Sequence, residues 1–438
     1  MRRIKKVVST ALVAAMAATM LVGCGDSSTS SSSGKKGDDG QVTIKLFSNL
    51  TDRKNGQGLV EQTIIDEYMK ANPKVKIEVE ALDEEAYKTK FKAYSMSGMP
   101  DVVSIWGQPA FLDEVVEAGV LAELNPSDYS DYKFVEGSLN GYTYDGKLYG
   151  LPRNTDISVF YYNQKMFEDN GWEVPQTYDE LLALADKINE KGIVPVAMDG
   201  GDGWPLCVYL ADVLFKITGK DYSDAVSNAI KTGDFSAPEL KQAAQLLKDA
   251  SDAKLFQNGY DTQDYGAAMN LFTNGQAAMF YMGSWETSMA TNQDIAEDIR
   301  TNIRVFTMPT VEGGKAAATD ISAWNGGGYA VNANSEVKEE AIKFLNYMYQ
   351  PDKLSKYGWE NGVGLSAQDQ SSYMTGNETE LQKQIVDILS KSTNLSGTPI
   401  NDQGTSAFKT CIESEIQSVC NGSKSVDDFL SAIGNACK

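Results

Sequence analysis

The chain of 438 residues contains no histidine. That absence removes histidine-dependent triads, histidine-ligated zinc and the commonest general base at neutral pH. Cysteine is scarce as well, and Cys24, Cys207, Cys411, Cys420 and Cys437 form no paired C-x-x-C. If 406–420 is one helix, Cys411 and Cys420 stand about 13 Å apart, beyond the reach of a disulfide. A bond from either to Cys437 stays open beside the reading of isolated buried thiols. Positive charge is short too: 39 Lys and Arg face 60 Asp and Glu, a formal net charge of −21. Such a balance repels nucleic acid and argues against a polyphosphate ligand. Beyond residue 23 no hydrophobic run is long enough to cross a bilayer.

What is present begins with a leader. Arg2-Arg3-Ile4-Lys5-Lys6 precedes an apolar stretch from Val7 to Val22, the pattern of an export signal over 1–23. Without those four cations the chain carries 35 Lys and Arg against 60 acids, or −25. Leu21-Val22-Gly23-Cys24 is similar to a lipobox, which implies lipidation of Cys24 and a tether to the outer face of the membrane. Residues 24–40 are Ser-, Gly- and charge-rich, a flexible linker with a reach of roughly 20–24 Å.

The stretch from Tyr142 to Gly171 organises the remainder. Tyr142–Tyr149 alternates around Asp145-Gly146, the signature of a two-residue type I′ hairpin. Pro152 closes that unit, since it has no N–H for a central ladder. After the polar run Arg153-Asn154-Thr155-Asp156, the β-branched and aromatic run Ile157–Tyr162 predicts a buried strand, and Gly171 ends a short helix. A polar tetrapeptide between two sheet-forming units predicts a crossing between lobes.

On either side the grammar is strand, helix, strand, helix. Val42–Phe47, Val75–Val79 and Asp101–Trp106 predict strands; Val60, Ile64 and Tyr68, then Tyr87, Phe91 and Tyr94, share helical faces. Such alternation predicts a mainly parallel sheet covered by helices. In the second half, Thr177 with Glu180 and Ser236 with Glu239 have capping-box spacing. Strands are expected at Ala277–Met282, Ile303–Met308 and Tyr329–Val331, and a helix from Ser335.

The order G-K-L-Y-G-L-P, a polar run, Y-Y-N, then F-E-D-N-G-W-E-V-P-Q-T-Y-D-E-L resembles the extracellular solute-binding proteins of sugar ABC transporters, the group that includes the maltose-binding protein. The resemblance implies an α/β, type 2 periplasmic-binding fold: two α/β lobes joined by a three-crossing hinge, with the ligand cleft between them. It places 41–153 plus 322–364 in lobe one, 156–319 plus 369–438 in lobe two, and the crossings near 152–156, 319–323 and 363–369. It implies a monomer with a sugar ligand and ABC permease subunits as partners, no cofactor, no metal and no covalent chemistry.

In open α/β sheets ligands bind beyond the carboxyl ends of strands. The loops that begin there offer Asn49, Asp52 and Arg53, then Trp106 and Gln108, and later Trp285 and Glu286. Asn154 and Asp156 flank the crossing, Trp204 opens a helix, and Trp324 and Asn325 precede a strand. Trp359 and Asp402 complete the set of ligand candidates. Indoles beside carboxylates and amides suit a sugar: the ring covers axial C–H groups while the polar groups take the hydroxyls. Any one of these tryptophans packs in a core as readily, and Asp52-Arg53 also reads as a surface ion pair. The loop at 199–204 departs from the aromatic-rich version of the maltose binder, which argues against a maltodextrin. Rival readings are the same fold serving a polyamine, a peptide or a metal, a secreted glycoside-processing enzyme, and an adhesive lipoprotein.

Overall fold

A computed structural model describes residues 40–392 and 397–437. The export signal, Cys24 and the linker as far as residue 39 lie outside the described residues. Among those described, no helix is long and apolar enough to cross a membrane.

In chain order the strands are β1 (Val42–Ser48), β2 (Val75–Ala81), β3 (Val102–Trp106), β4 (Thr143–Tyr144), β5 (Lys147–Leu148), β6 (Leu151–Pro152), β7 (Thr155–Asn163), β8 (Val194–Ala197), β9 (Ala277–Gly283), β10 (Ile303–Phe306), β11 (Ala323–Asn325) and β12 (Gly327–Val331). The first sheet runs β2-β1-β3-β12-β6. Its β2, β1 and β3 are parallel, joined by the helices Gly56–Ala71 and Glu84–Ser97. β12 lies antiparallel to both β3 and β6. The expected mainly parallel sheet is therefore half parallel, because β12 enters from the other lobe at the opposite end. The second sheet runs β10-β7-β9-β8. Its central β7 has β9 along one edge, and β10 then β11 end to end along the other, all antiparallel.

Local chemistry accounts for these elements. Asp145 and Gly146 have φ of 48° and 75°, the two positive values that a type I′ turn between β4 and β5 requires. Pro152 sits on an edge strand, where its missing N–H costs no ladder bond. Thr177 caps its helix by accepting from Glu180 N–H, but the Glu180 carboxylate turns to Gln176 N–H, so the reciprocal half of the box is absent. Ser236 does not cap at all. Pro238 takes the first helical position and moves the start of the helix to Pro238–Asp252. The helix expected from Ser335 begins at Lys338, because the Ser335 hydroxyl donates to Asp101 and accepts from Val337 N–H in a turn.

Two cores result. One gathers residues from 42–151 and 329–363, the other from 157–324 and 381–433. Phe160 in β7 stacks on Phe306 at 4.9 Å in the second, and each such fully buried ring contributes about 1.5–3 kcal/mol. Three chain segments pass between the cores side by side. Arg153 N–H donates to Gly327 O (2.7 Å) and Gly326 N–H to Asn154 O (2.8 Å). On the other side Thr155 N–H donates to Leu365 O (3.2 Å) and Ala367 N–H to Arg153 O (3.3 Å). The middle crossing thus falls at 153–156. A second falls at 325–327, after β11 has paired with β7, so Trp324 belongs to the second core. Past the third, at 363–366, the chain stays on the first lobe: the Gln368 amide donates to Tyr132 O and Tyr349 O, and Tyr373 donates to Pro351 O. It reaches the second core only with the helix Glu380–Lys391.

Candidate functional site

A cavity of about 720 Å³ lies between the lobes, walled by residues of both and by the middle crossing. The lobes touch around it. Asn55 Nδ2 donates to Asp294 Oδ2 at 3.4 Å, Thr291 Oγ1 to Asn361 O at 3.0 Å, and Ser406 Oγ to Glu114.

The second lobe supplies an aromatic wall. Trp204 is the first residue of the buried helix Trp204–Thr218, which follows the Asp199–Gly203 turn. Its ring is 6.0 Å from that of Trp285, and Trp285 is 6.3 Å from Trp324. Tyr265 stacks on Trp204 at 6.3 Å. Trp285 lies two residues beyond the end of β9 and against Gly283, where a Cβ would overlap its six-membered ring. Its indole N–H donates to Tyr265 Oη (2.9 Å), and Tyr265 in turn donates to Glu286. Burial raises the Glu286 carboxyl above its usual range, the Tyr265 hydrogen bond opposes this, and the charge of Asp52 across the cavity adds to it.

The first lobe and the crossing supply a polar wall. Trp106 ends β3, and Lys88 from the helix Glu84–Ser97 sits between the lobes, its ammonium 6.0 Å from the Trp106 ring centre and 5.9 Å from that of Trp204. Glu84 (2.8 Å) and Glu85 (2.7 Å) hold it there. Burial pulls the Lys88 ammonium down, and the charges of Glu84, Glu85 and Glu413 outweigh it, keeping the group firmly protonated. At the crossing Asn154 Nδ2 donates to Asp156. Burial pushes the Asp156 carboxyl up to about 7, against the pull of that hydrogen bond and of Arg153. Gly326 must be glycine here, since a Cβ would run into the Asp156 carboxylate and the Asn154 amide.

Of the residues singled out from the sequence, the cavity brings together Asn49, Asp52, Trp106, Gln108, Asn154, Asp156, Trp204, Trp285, Glu286, Trp324 and Asp402. Three do not line it. Arg53 turns inward to the fully buried Glu61 and to Gln62, which gives its charge a partner that no surface pair offers. Asn325 directs its amide toward Gly141, leaving only its carbonyl to accept from Gln108 Nε2 at 2.6 Å. Trp359 is 5% exposed in a short helix and donates to Glu378, outside the cleft. Asp402 lines the wall already paired with Lys409 at 2.6 Å.

Sequence reasoning missed Glu84, Glu85, Lys88, Tyr265, Asn401 and Lys409, all on the wall. The acidic pair and Lys88 follow the carboxyl end of β2, the same signal that found the loops after β1 and β3. Asn401 stands beside Asp402. Tyr265 carries no such mark, because a tyrosine at the start of a helix is ordinarily packing.

A two-lobed α/β body with a cavity at a three-stranded hinge is the type 2 periplasmic-binding architecture. The chain matches the family described as bacterial extracellular solute-binding protein over residues 63–362, and it belongs to that family. It is 28% identical over 353 residues to the multiple sugar-binding protein of Streptococcus mutans, covering 79% of each chain. A solved structure from work on xylan utilization by Caldanaerobius polysaccharolyticus superposes with a TM-score of 0.82 at 25% identity, over 90% of this chain and 99% of that one. A chitin oligosaccharide binding protein shares the fold, with a TM-score of 0.79 at 21% identity over 91% and 98% of the two chains.

Proposed function

We propose that the chain captures a saccharide outside the cell and delivers it to the permease subunits of an ABC importer, as a monomer tethered through lipidated Cys24. The observation that carries this reading is the pairing of walls: a continuous row of Trp324, Trp285 and Trp204 faces carboxylates and amides across one cavity. The indoles cover the apolar face of a pyranose ring, roughly 2.5 kcal/mol for about 100 Å² removed from water. Polar groups at the crossing and on the first lobe meet its hydroxyls at about 1 kcal/mol net each. A guest touching both walls has greater affinity for the closed body than for the open one, and that difference sets the shift toward closure. The role is binding, with no covalent step. The names of the relatives support a sugar ligand, as does a cavity volume within the range of about 300–1,000 Å³ usual for small-molecule sites.

The acidic wall gives a polyamine a specific claim as well, so spermidine belongs in the test. A thermal-shift panel of neutral oligosaccharides with spermidine is expected to show stabilisation by at least one saccharide, about 2.7 kcal/mol at 100 Kd. Stabilisation by spermidine alone would replace the sugar reading with the polyamine one. Turnover of a saccharide by the purified protein would contradict a binding role.

A further inference from the structure

Charge on the cavity wall is one-sided, and this observation deepens the saccharide reading on which it rests. The two lysines on the wall, and several of its amides, are engaged within the protein. Lys88 is held by Glu84 and Glu85, and Lys409 by Asp402 and Glu413, each of the latter at 2.6 Å. The Gln108 amide donates to Asn325 O, the Trp285 indole to Tyr265, Tyr265 to Glu286, and the Asn154 amide to Asp156.

Most of the carboxylates on the wall, in contrast, lack cationic partners. Asn154 and Asn401 are 5% and 1% exposed, and the Oδ1 of each is without a partner, as is that of Asn49. The orientation of Asn401 is fixed, because its Nδ2 faces two carboxylates, Glu413 at 2.8 Å and Asp402 at 3.3 Å. Its oxygen is therefore the free end. Around these amides Asp52, Asp83, Asp156, Asp202, Asp264 and Glu286 line the cavity, and among the described residues none of the six has a lysine or arginine as ion-pair partner. Arg153 is the exception among the cations of the wall. Its Nη1 donates to Tyr329 Oη at 3.3 Å and its Nε is unpartnered, but Asp156 and Glu61 share its field.

We infer that this site takes neutral or amine-bearing saccharides and turns away acidic ones such as uronates, aldonates and sugar phosphates. A neutral polyol offers hydroxyl protons to the wall's carboxylates without adding charge. A carboxylate or phosphate brings further acceptors and a charge of the same sign as the wall, and burying a like charge there is costly.

The test holds the sugar constant and changes only its charge. Xylotriose, maltotriose and triacetylchitotriose are titrated first, and the strongest binder is converted at its reducing end to the alditol (neutral), the aldonate (negative) and the 1-amino-alditol (positive). The aldonate is expected to bind at least about tenfold more weakly than the alditol at low salt, with the amino form no weaker than the alditol. Asp52→Asn, at an exposed rim position, should narrow the gap between alditol and aldonate. An aldonate that binds as tightly as the alditol overturns the inference while leaving the saccharide reading intact, and an aldonate that binds more tightly assigns Arg153 as an anion site instead. Failure of every neutral saccharide to bind sinks the saccharide reading and this inference together.

Discussion

The two walls of the cavity are built from different material. On the second lobe, Trp204, Trp285, Trp324 and Tyr265 form one packed aromatic surface backed by the large second core. On the first lobe, a single indole, Trp106, stands among carboxylates, and one lysine, Lys88, bridges toward the other side. One wall offers apolar area that needs little rearrangement, and the other offers polar groups that count only when the guest is enclosed. A guest should therefore lodge on the second lobe, and the first lobe should close over it.

That asymmetry is open to attack at several points. The largest effect expected is one of stability alone. Glu61 is fully buried and accepts from Ser48, Tyr329 and Arg53, so Glu61→Ala strands three donors in the first core. The cost should be about 3–5 kcal/mol of unfolding free energy by denaturant titration, with ligand affinity nearly unchanged in the protein that remains folded. An affinity loss of similar size would mean that the Arg53 loop contributes to the site after all. Next comes Trp285→Ala, expected to weaken saccharide binding by about 2.5 kcal/mol, some 70-fold by calorimetry. The equivalent change on the poorer wall, Trp106→Ala, should weaken it by only about 1 kcal/mol, or fivefold. Equal losses at the two positions would erase the contrast between the walls.

A smaller effect concerns pH. A carboxyl whose folded pKa lies above its unfolded value keeps a proton that the unfolded chain has already released, so its contribution to stability declines as pH rises between the two values. For Asp156 the window runs from its ordinary 3.8 to about 7. Asp156→Asn removes that decline, so the variant should gain on the wild type from pH 4 to 7 in thermal melts and hold a constant difference above that. Asp199, pushed up to about 9 by burial and by the charge of Asp202, continues to act in both proteins and cancels in the comparison.

Much of the framework was legible because its signals are local. The Asp145-Gly146 turn, the β-branched run of β7 and the polar crossing each depend on neighbours within a few residues. What escaped depends on distant partners. Nothing near Arg53 reveals that its guanidinium turns to the buried Glu61, and nothing near Trp359 shows Glu378 waiting to accept from its indole. Lys88 is of the same kind: its i−4 and i−3 carboxylates mark a surface helix, yet the approach of Trp204 from the other lobe makes it part of the cavity. The pairing of β11 with β7 sets where the second crossing falls, because strand pairing, not sequence proximity, decides lobe membership.

Closure of two walls on one guest is best examined by small-angle X-ray scattering of the full protein, with and without the saccharide that stabilises it most. The radius of gyration should fall on saturation in the wild type, and fall less in Trp106→Ala, whose first-lobe wall has lost its ring. A bound saccharide that leaves the wild-type radius unchanged would contradict the account, since the guest would then be held by one lobe alone.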